Sequence, residues 1–327
     1  MGPRIELSPA QRQMYASEKQ ANFRWISKVL ASSPPYTLTA SDLVSSDLLL
    51  ELAQLGQFAE VAYDFFAPGP EFIFRNLDIL TQPGFPLEGY GSLRGTLLSS
   101  SLTGTVANLP AYVAYRSATR QLIVAISGTS RLTHALYDIH SFKYPHPLGK
   151  DCAVHTGFWK LYQGLKSATF KAIRKGLREH SVGELVITGH SMGGALSYLL
   201  ALDILADSEQ LPTALPVKIA VFGAPRCGNA ALLQRWCELV DGYRKKYGEG
   251  AIKEYEVRGY NDGKSFSRLL SSEKLTSVLV RRSCTATSGI WLQAFCTKST
   301  VFCTRTPVPH PIFRIGAYTV LGFAGLQ

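Results

Sequence analysis

The feature that most constrains the fold is a glycine-rich turn between an apolar strand and an apolar helix. Residues 184–190 (ELVITGH) have the short apolar run of a buried strand, and residues 192–206 have the length and composition of a buried helix. The turn that joins them is the G-x-S-x-G sequence Gly189-His190-Ser191-Met192-Gly193. A strand, a turn of this kind and a helix together predict a nucleophile elbow, in which a serine stands on a strained turn above the sheet.

The segments around this turn alternate in the same way. Apolar strands are predicted at 111–116, 121–127, 217–223 and 253–259, helices at 42–66, 157–180 and 229–240, and mostly loop at 67–110. Strands that alternate with helices indicate an α/β fold with a mostly parallel central sheet covered by helices on both faces. Chemistry in such a sheet lies at the carboxyl ends of the strands, where Ser191 falls.

Several residues near these strand ends are candidates for a site. The elbow makes Ser191 a nucleophile and the Met192 N–H a donor to the oxyanion, whereas a plain Gly/Ser turn is the alternative that the flanking elements disfavour. In this fold the acid and then the histidine follow the serine along the chain. Asp262 is either that acid or part of an Asn-Asp-Gly turn, and His310 is the one histidine after it. Thr129 follows a strand end and is either a second oxyanion donor or part of a polar loop.

Five other histidines are expected to have structural or surface positions. His190 adjoins Ser191 and is expected to point away from it, and His155 is expected to make a hydrogen bond in the core. His134, His140 and His146 are expected to lie in a surface loop.

Five segments in sequence order carry a family resemblance. They read VAISGTS, VHTGFWKLY, VITGHSMGGALSYLLALD, VFGAPRCGN and EYEVRGYND, and they cover about residues 110–263. On these segments the chain resembles the class 3 lipases, the fungal-type triacylglycerol lipase family with the α/β-hydrolase fold. The resemblance implies that Ser191 is the nucleophile, Thr129 an oxyanion residue and Asp262 the acid of a Ser-His-Asp triad. It departs from the family at Ser127, where an arginine is usual.

The resemblance also implies a substrate and a lid. It implies hydrolysis of an acylglycerol or related lipid ester through an acyl-enzyme, at a lipid–water interface and without a metal or cofactor. Residues 131–147 occupy the place of the family's lid. Four apolar residues in this segment have the spacing of one helix face, which either binds lipid or packs in the core. They are Leu132, Ala135, Leu136 and Ile139.

Most of the excess of basic over acidic residues lies after residue 263, where the family resemblance ends. The formal net charge is +10, yet residues 264–327 hold eight basic residues and a single acid, so the rest is nearly balanced. We therefore predict an N-terminal cap segment at 1–40, an α/β-hydrolase domain at 41–263 and an atypical basic, Ser/Thr-rich, poorly ordered tail at 264–327. Because the excess charge belongs to the tail and no nucleic-acid motif accompanies it, we expect no nucleic-acid partner.

A mis-spliced transcript is one hypothesis for the tail. The family continues Asn-Asp-x-Val-Pro after the acid, whereas this chain continues Gly263-Lys264-Ser265, which can be encoded GGTAAGT, the form of an intron donor site. Residues 289–295 and 307–319 can each be back-translated so that reading one nucleotide later gives family-like sequence. On this hypothesis His310 is a coincidence and the triad lacks its base. Transcript reads that always keep Lys264 in frame would contradict it.

The remaining expectations concern the location of the protein, its cysteines and its alternative functions. No secretory signal and no apolar run long enough to span a membrane is visible, which predicts a cytoplasmic protein. The six cysteines form no CxxC pair, so we expect free thiols and no zinc site. The alternatives to a lipase are a short-chain or aryl esterase, and a catalytically impaired lipase-like protein that binds lipid or is a non-functional product.

Overall fold

The computed structural model describes residues 44–63, 69–128, 143–207, 215–259, 278–281, 304–305 and 318–319. The predicted cap segment at 1–40 lies outside these residues, and so does most of the predicted tail. The helices are α1 (Ser46–Val61), α2 (Pro70–Arg75), α3 (Leu77–Leu80), α4 (Thr156–Glu179), α5 (Met192–Ala206) and α6 (Ala230–Tyr247). The strands are β1 (Thr96–Thr103), β2 (Pro110–Arg116), β3 (Gln121–Ile126), β4 (Lys143–Pro145), β5 (Ala153–His155), β6 (Glu184–His190), β7 (Val217–Phe222), β8 (Ile252–Gly259), β9 (Val278–Arg281), β10 (Thr304–Arg305) and β11 (Tyr318–Thr319).

The central sheet has a parallel middle. Within the described residues its strand order is β1-β2-β3-β6-β7-β8-β9. Strands β3, β6, β7 and β8 run parallel, while β1 and β2 on one side and β9 on the other are antiparallel to their neighbours. The predicted mostly parallel sheet is confirmed, and the carboxyl ends of β3, β6, β7 and β8 meet along one edge.

The two faces of the sheet are buried under different helices. Alternate residues of β2 lie on opposite faces of the sheet. Tyr112 and Ala114 pack with α1, α2 and α3, whereas Val113 packs with α4, α5 and α6. Strand β3 is buried at every position, as a strand covered on both faces must be. The covering of both faces predicted from the sequence is therefore confirmed.

Side chains at the helix starts explain where several helices begin. The Ser45 hydroxyl accepts a hydrogen bond from the Leu48 amide at 3.3 Å, and Asn229 Oδ1 accepts one from the Leu232 amide at 3.0 Å. These N-caps satisfy amides that the helix itself leaves unpaired, and each is worth about 1 kcal/mol. Helices α1 and α6 thus begin where the sequence places a capping residue.

The prediction of a mostly loop segment at 67–110 is wrong. It contains α2, α3 and the eight-residue edge strand β1. The register of β1 against β2 shifts between Leu98 and Ser100, so Ser99 is an extra residue that interrupts the two-residue alternation. A serine-rich edge strand with a bulge carries little of the apolar pattern by which strands are recognised.

Helix α6 is also longer than predicted, since it continues past Val240 to Tyr247. The Asp241-Gly242 pair lies inside the helix, and Val240 and Tyr243 on either side of it are buried. The Tyr243 hydroxyl donates to the Leu215 carbonyl at 2.8 Å, which holds this last part of the helix on the body. The helix ends at Gly248, whose φ of +99° suits glycine.

A buried lysine ties α1 to the sheet at the edge opposite Ser191. Lys218 near the start of β7 is 2.5 Å from a carboxylate oxygen of Glu51 and 2.7 Å from one of Glu184. Burial lowers the pKa of Lys218, but the hydrogen bonds to both carboxylates outweigh this and leave its pKa above the ordinary value.

Among the helices of the described ranges, none has the length and apolar character needed to cross a bilayer.

Candidate active site

The turn at Ser191 is a strained strand-to-helix junction. Strand β6 ends at His190 and α5 begins at Met192, so the change of direction falls on Ser191 alone. Ser191 has φ +53° and ψ −124°, a backbone conformation that costs a residue with a side chain about 1–3 kcal/mol. The strand, strained turn and helix predicted from the sequence are therefore present, and the nucleophilic role of Ser191 stays a prediction.

Three glycines let α5 start this close to the sheet. A Cβ on Gly193 would lie 2.1 Å from the Ile126 carbonyl oxygen at the end of β3, and one on Gly189 would lie 2.5 Å from the Gly193 carbonyl carbon. A Cβ on Gly194 would lie 2.7 Å from the Cβ of Ala224, which follows β7. The glycines are required because the first turn of α5 packs directly on the ends of β3 and β7.

The amino end of α5 points at the serine. The Gly194 and Ala195 amides donate to the Ser191 carbonyl at 3.0 and 3.3 Å, and the Ser191 amide donates to the Phe222 carbonyl at 2.8 Å. The Ser191 side chain does not cap the helix. The Met192 amide is the first of the helix and carries the positive end of its dipole, so it suits a developing oxyanion next to Ser191.

The end of β3 lies beside the elbow. Ile126 pairs with Gly189 in the parallel register of β3 and β6. Ser127 is buried, its amide donates to the Pro110 carbonyl at 3.0 Å, and its hydroxyl donates to the Gly128 carbonyl at 2.6 Å. The loop therefore reaches Gly128 next to the elbow. Thr129, the predicted oxyanion residue, comes directly after Gly128 and lies outside the described residues.

The remaining predicted site residues also lie outside the described ranges. Asp262 comes three positions after the end of β8, whose carboxyl end shares the sheet edge with Ser191. His310 and the predicted lid stripe are likewise outside, and of the predicted lid only 143–147 is described, with β4 paired to β5. Of the predicted site residues the structure describes Ser191 and Met192, which are adjacent at the start of α5. The roles of these two residues, like those of Thr129, Asp262 and His310, stay predictions.

Two of the described histidines make hydrogen bonds within the protein, as expected of His155, whereas the expectation that His190 points away from Ser191 stays a prediction. The Nδ1 atom of His155 accepts a hydrogen bond from the Phe158 amide at 3.3 Å, so His155 caps α4, and burial lowers its pKa. His190 Nδ1 lies 2.5 Å from the Tyr63 hydroxyl oxygen. Both are held by hydrogen bonds within the protein.

The prediction that His146 lies in a surface loop is wrong. Its exposed fraction is 3%, and its ring packs in a T-shaped, edge-to-face contact with the indole of Trp159, with the ring centroids 4.7 Å apart. The Leu148 amide donates to His146 Nδ1 at 3.3 Å, and burial lowers the pKa of His146. The indole of Trp159 on α4 covers the hairpin of β4 and β5, which no local pattern in the sequence reveals.

Next to the elbow lies a group of polar side chains that the sequence did not predict. Tyr63 follows α1 and contacts His190, and Glu60 on the last turn of α1 accepts a hydrogen bond from the Tyr90 hydroxyl. Burial raises the pKa of Glu60 to about 7 against the opposing effect of the Tyr90 hydrogen bond. Tyr63 and His190 are 127 positions apart, so no motif could have connected them.

The chemistry available at this site is that of a serine and backbone amides. Over the part of the chain that the structure describes, no three His, Cys, Asp or Glu side chains are grouped to hold a metal ion. Cys152 and Cys227 are free thiols, as expected, whereas Cys284, Cys296 and Cys303 lie outside the described ranges. A helix amino end, a strained serine and a parallel sheet edge together define the α/β-hydrolase class.

The fold comparison agrees with this class. The structure is similar to that of a lipase from Rhizopus microsporus var. chinensis, with a TM-score of 0.50, 20% identity, and coverage of 66% of this chain and 69% of that chain. The chain has the α/β-hydrolase fold.

The sequence comparisons show a similarity to one family of lipases. Residues 123–247 match the model of the family described as Lipase (class 3), so this region is similar to that family. The region is 26% identical to secreted mono- and diacylglycerol lipase 1 of Fusarium solani, over 41% of this chain and 38% of that protein. The phospholipase A(1) DAD1, chloroplastic, of Arabidopsis thaliana is 25% identical over 58% of this chain and 51% of that protein. The chain spans about a third to a half of the length of such curated relatives.

Proposed function

We propose that this chain is a serine ester hydrolase that acts on lipid esters. The observation that carries the proposal is the backbone of Ser191, which is held at φ +53° at the amino end of α5 by glycines that admit no side chain. A protein that needed only a turn there would avoid the cost of this conformation. The strain is useful when the serine hydroxyl must stand clear of the sheet beside amides that stabilise negative charge.

The proposed reaction passes through an acyl-enzyme. The Ser191 oxygen attacks the ester carbonyl while a histidine takes the hydroxyl proton, and the carbonyl oxygen becomes an oxyanion held by the Met192 N–H and by Thr129. The histidinium, oriented by Asp262, returns the proton to the leaving alcohol. Water then attacks the acyl-enzyme by the same route and releases the carboxylic acid. His310 is the candidate for the histidine.

The proposed substrate is an acylglycerol or a related lipid ester at a lipid–water interface. Support comes from the names of the relatives, which are mono- and diacylglycerol lipases of fungi and phospholipases A1 of a plant. The apolar stripe predicted in the lid provides a surface that such an interface could bind.

Covalent labelling tests the nucleophile. A fluorophosphonate probe should label the wild-type protein and the Ser117→Ala variant but not Ser191→Ala. Ser117 is a matched control because it is an exposed serine that follows β2, at the sheet edge opposite the elbow. A wild-type protein that takes up no label, or a Ser191→Ala protein that is labelled as fast as wild type, would contradict the proposal.

Substrate length and the histidine are tested by hydrolysis. A series of p-nitrophenyl esters should show the highest rates with long acyl chains, whereas a preference for acetate would indicate the esterase alternative. The His310→Ala variant should lose label uptake and hydrolysis if His310 is the base. If wild type and His310→Ala are equally inert, the catalytically impaired alternative holds, which the departure of the sequence from the family after Asp262 favours.

A further inference from the structure

One buried phenol contacts two other parts of the chain next to the elbow. Tyr63 comes just after the end of α1, and only 6% of its surface is exposed. Its hydroxyl oxygen is 2.5 Å from His190 Nδ1, and the hydroxyl also donates to the His190 carbonyl at 3.4 Å. The phenol therefore contacts both the side chain and the backbone of the residue that precedes Ser191.

The same hydroxyl faces the end of β3. A Cβ on Gly128 would lie 2.1 Å from the Tyr63 hydroxyl oxygen and 2.8 Å from the ring carbon that bears it. It would also lie 2.8 Å from the His190 carbonyl oxygen. Gly128 is thus in direct contact with both residues, and the loop that leads to Thr129 passes the elbow with no space between them.

The environment keeps this phenol neutral. Burial raises the pKa of Tyr63, and the nearby Glu60 carboxylate raises it further. The hydroxyl consequently stays protonated over the working range of a hydrolase and remains a hydrogen-bond donor. A neutral group packed against both backbone segments fixes their distance without adding charge to the site.

We propose that Tyr63 is a positioning residue that sets the distance between the Gly128 loop and the Ser191 elbow through its contacts with Gly128 and His190. The inference rests on the proposed function, since the two backbone segments it spaces are those that would carry the two oxyanion donors. Tyr63 does not itself touch the reacting atoms in this scheme. Amides displaced by a fraction of an ångström from the oxyanion lose much of their effect.

A pair of hydroxyl deletions tests the proposal. Tyr63→Phe should lower kcat at least tenfold with KM changed less than threefold, because the binding surface is intact and the donors are misplaced. The matched control is Tyr112→Phe, which removes a buried hydroxyl that donates to the Phe58 carbonyl of the same helix α1 at 2.7 Å. The control should lose comparable stability in urea unfolding but keep kcat within twofold of wild type. Equal kcat values for the two variants would overturn the proposal.

A double-variant cycle tests the contact itself. Gly128→Ala should lower kcat about a hundredfold in the wild-type background, because the new methyl group meets the Tyr63 hydroxyl. In the Tyr63→Phe background the same substitution should cost several-fold less, since the atom at 2.1 Å is gone. Strictly multiplicative effects would show that the two residues act independently and would contradict the spacing role.

Hydrogen exchange separates this proposal from the proposed function. Peptides that contain residues 127–128 and 190–194 should exchange at least tenfold faster in Tyr63→Phe than in wild type or Tyr112→Phe. This readout requires no activity, so it decides the spacing role even if the fluorophosphonate probe shows the wild-type protein to be inert. Unchanged exchange in both peptides would overturn the proposal whatever the activity.

Discussion

Substitution of Gly193 by alanine is the most direct test of how α5 sits on the sheet. The new Cβ would lie 2.1 Å from the Ile126 carbonyl oxygen, whereas ordinary contact needs about 3.5 Å. The first turn of α5 must therefore move away from β3 by about 1.4 Å. The neighbouring atom belongs to the backbone of a central strand, which has sheet partners on both sides and cannot yield.

The expected cost follows from this overlap. Overpacking of a well-filled core costs about 1–3 kcal/mol and sometimes more, and we expect about 3 kcal/mol because backbone meets side chain. The control is Gly242→Ala in α6, where a Cβ would meet nothing within 4 Å. This variant should gain about 0.5–1 kcal/mol, since alanine favours the helix and restricts the unfolded chain.

Urea unfolding followed by tryptophan fluorescence measures both values, because Trp159 and Trp236 are buried in the domain. The Gly193→Ala midpoint should fall by about 1 M, and the Gly242→Ala midpoint should rise. Labelling of Ser191 should slow about a hundredfold in the first variant, as expected when a reacting group is misplaced by about 1 Å. A Gly193→Ala protein with an unchanged midpoint and labelling rate would refute the packing argument.

Two further substitutions test buried charges. Burial raises the pKa of Glu60 from 4.5 to about 7, so the unfolded state releases its proton first and the free energy of unfolding falls by about 3 kcal/mol between pH 4.5 and pH 7. Glu60→Gln should remove this fall, measured by urea unfolding at pH 4.5 and pH 8, and an equal fall in both proteins would contradict it. Lys218→Met should destabilise the protein by about 2–3 kcal/mol because Glu51 and Glu184 lose their shared partner. Thermal unfolding of Lys218→Met with a midpoint equal to wild type would show that the ion pairs add nothing.

The sequence predicted the parts of the fold that follow from hydrophobic period. Strand β6 and helix α5 begin and end where predicted, because each is a single apolar run bounded by a polar residue or a glycine. The strained turn at Ser191 was also predictable, since its glycines stand at fixed spacing. These features are local, so a single sequence contains them.

The features that were missed depend on contacts between distant segments. Strand β1 pairs with β2 in spite of its serines, and His146 is buried against the indole of Trp159 on α4. Tyr63 meets Gly128 and His190 only after three elements have folded together. Nothing in the sequence near any of these residues specifies its partner, because the partner is chosen by the packing of the sheet and its helices.

The strain at Ser191 is compatible with a stable fold because α5 is buried on all sides. Its side chains Leu196, Leu199 and Leu200 are fully enclosed by the sheet on one side and by α4 and α6 on the other. Burial of one such side chain stabilises the fold by about 1.5–3 kcal/mol, which is comparable to the cost of the backbone conformation at Ser191. The helix therefore cannot relax the turn by moving outward without exposing several leucines. The apolar residues of α5 and the glycines of the turn act together, since the first hold the helix against the sheet and the second permit it to come that close.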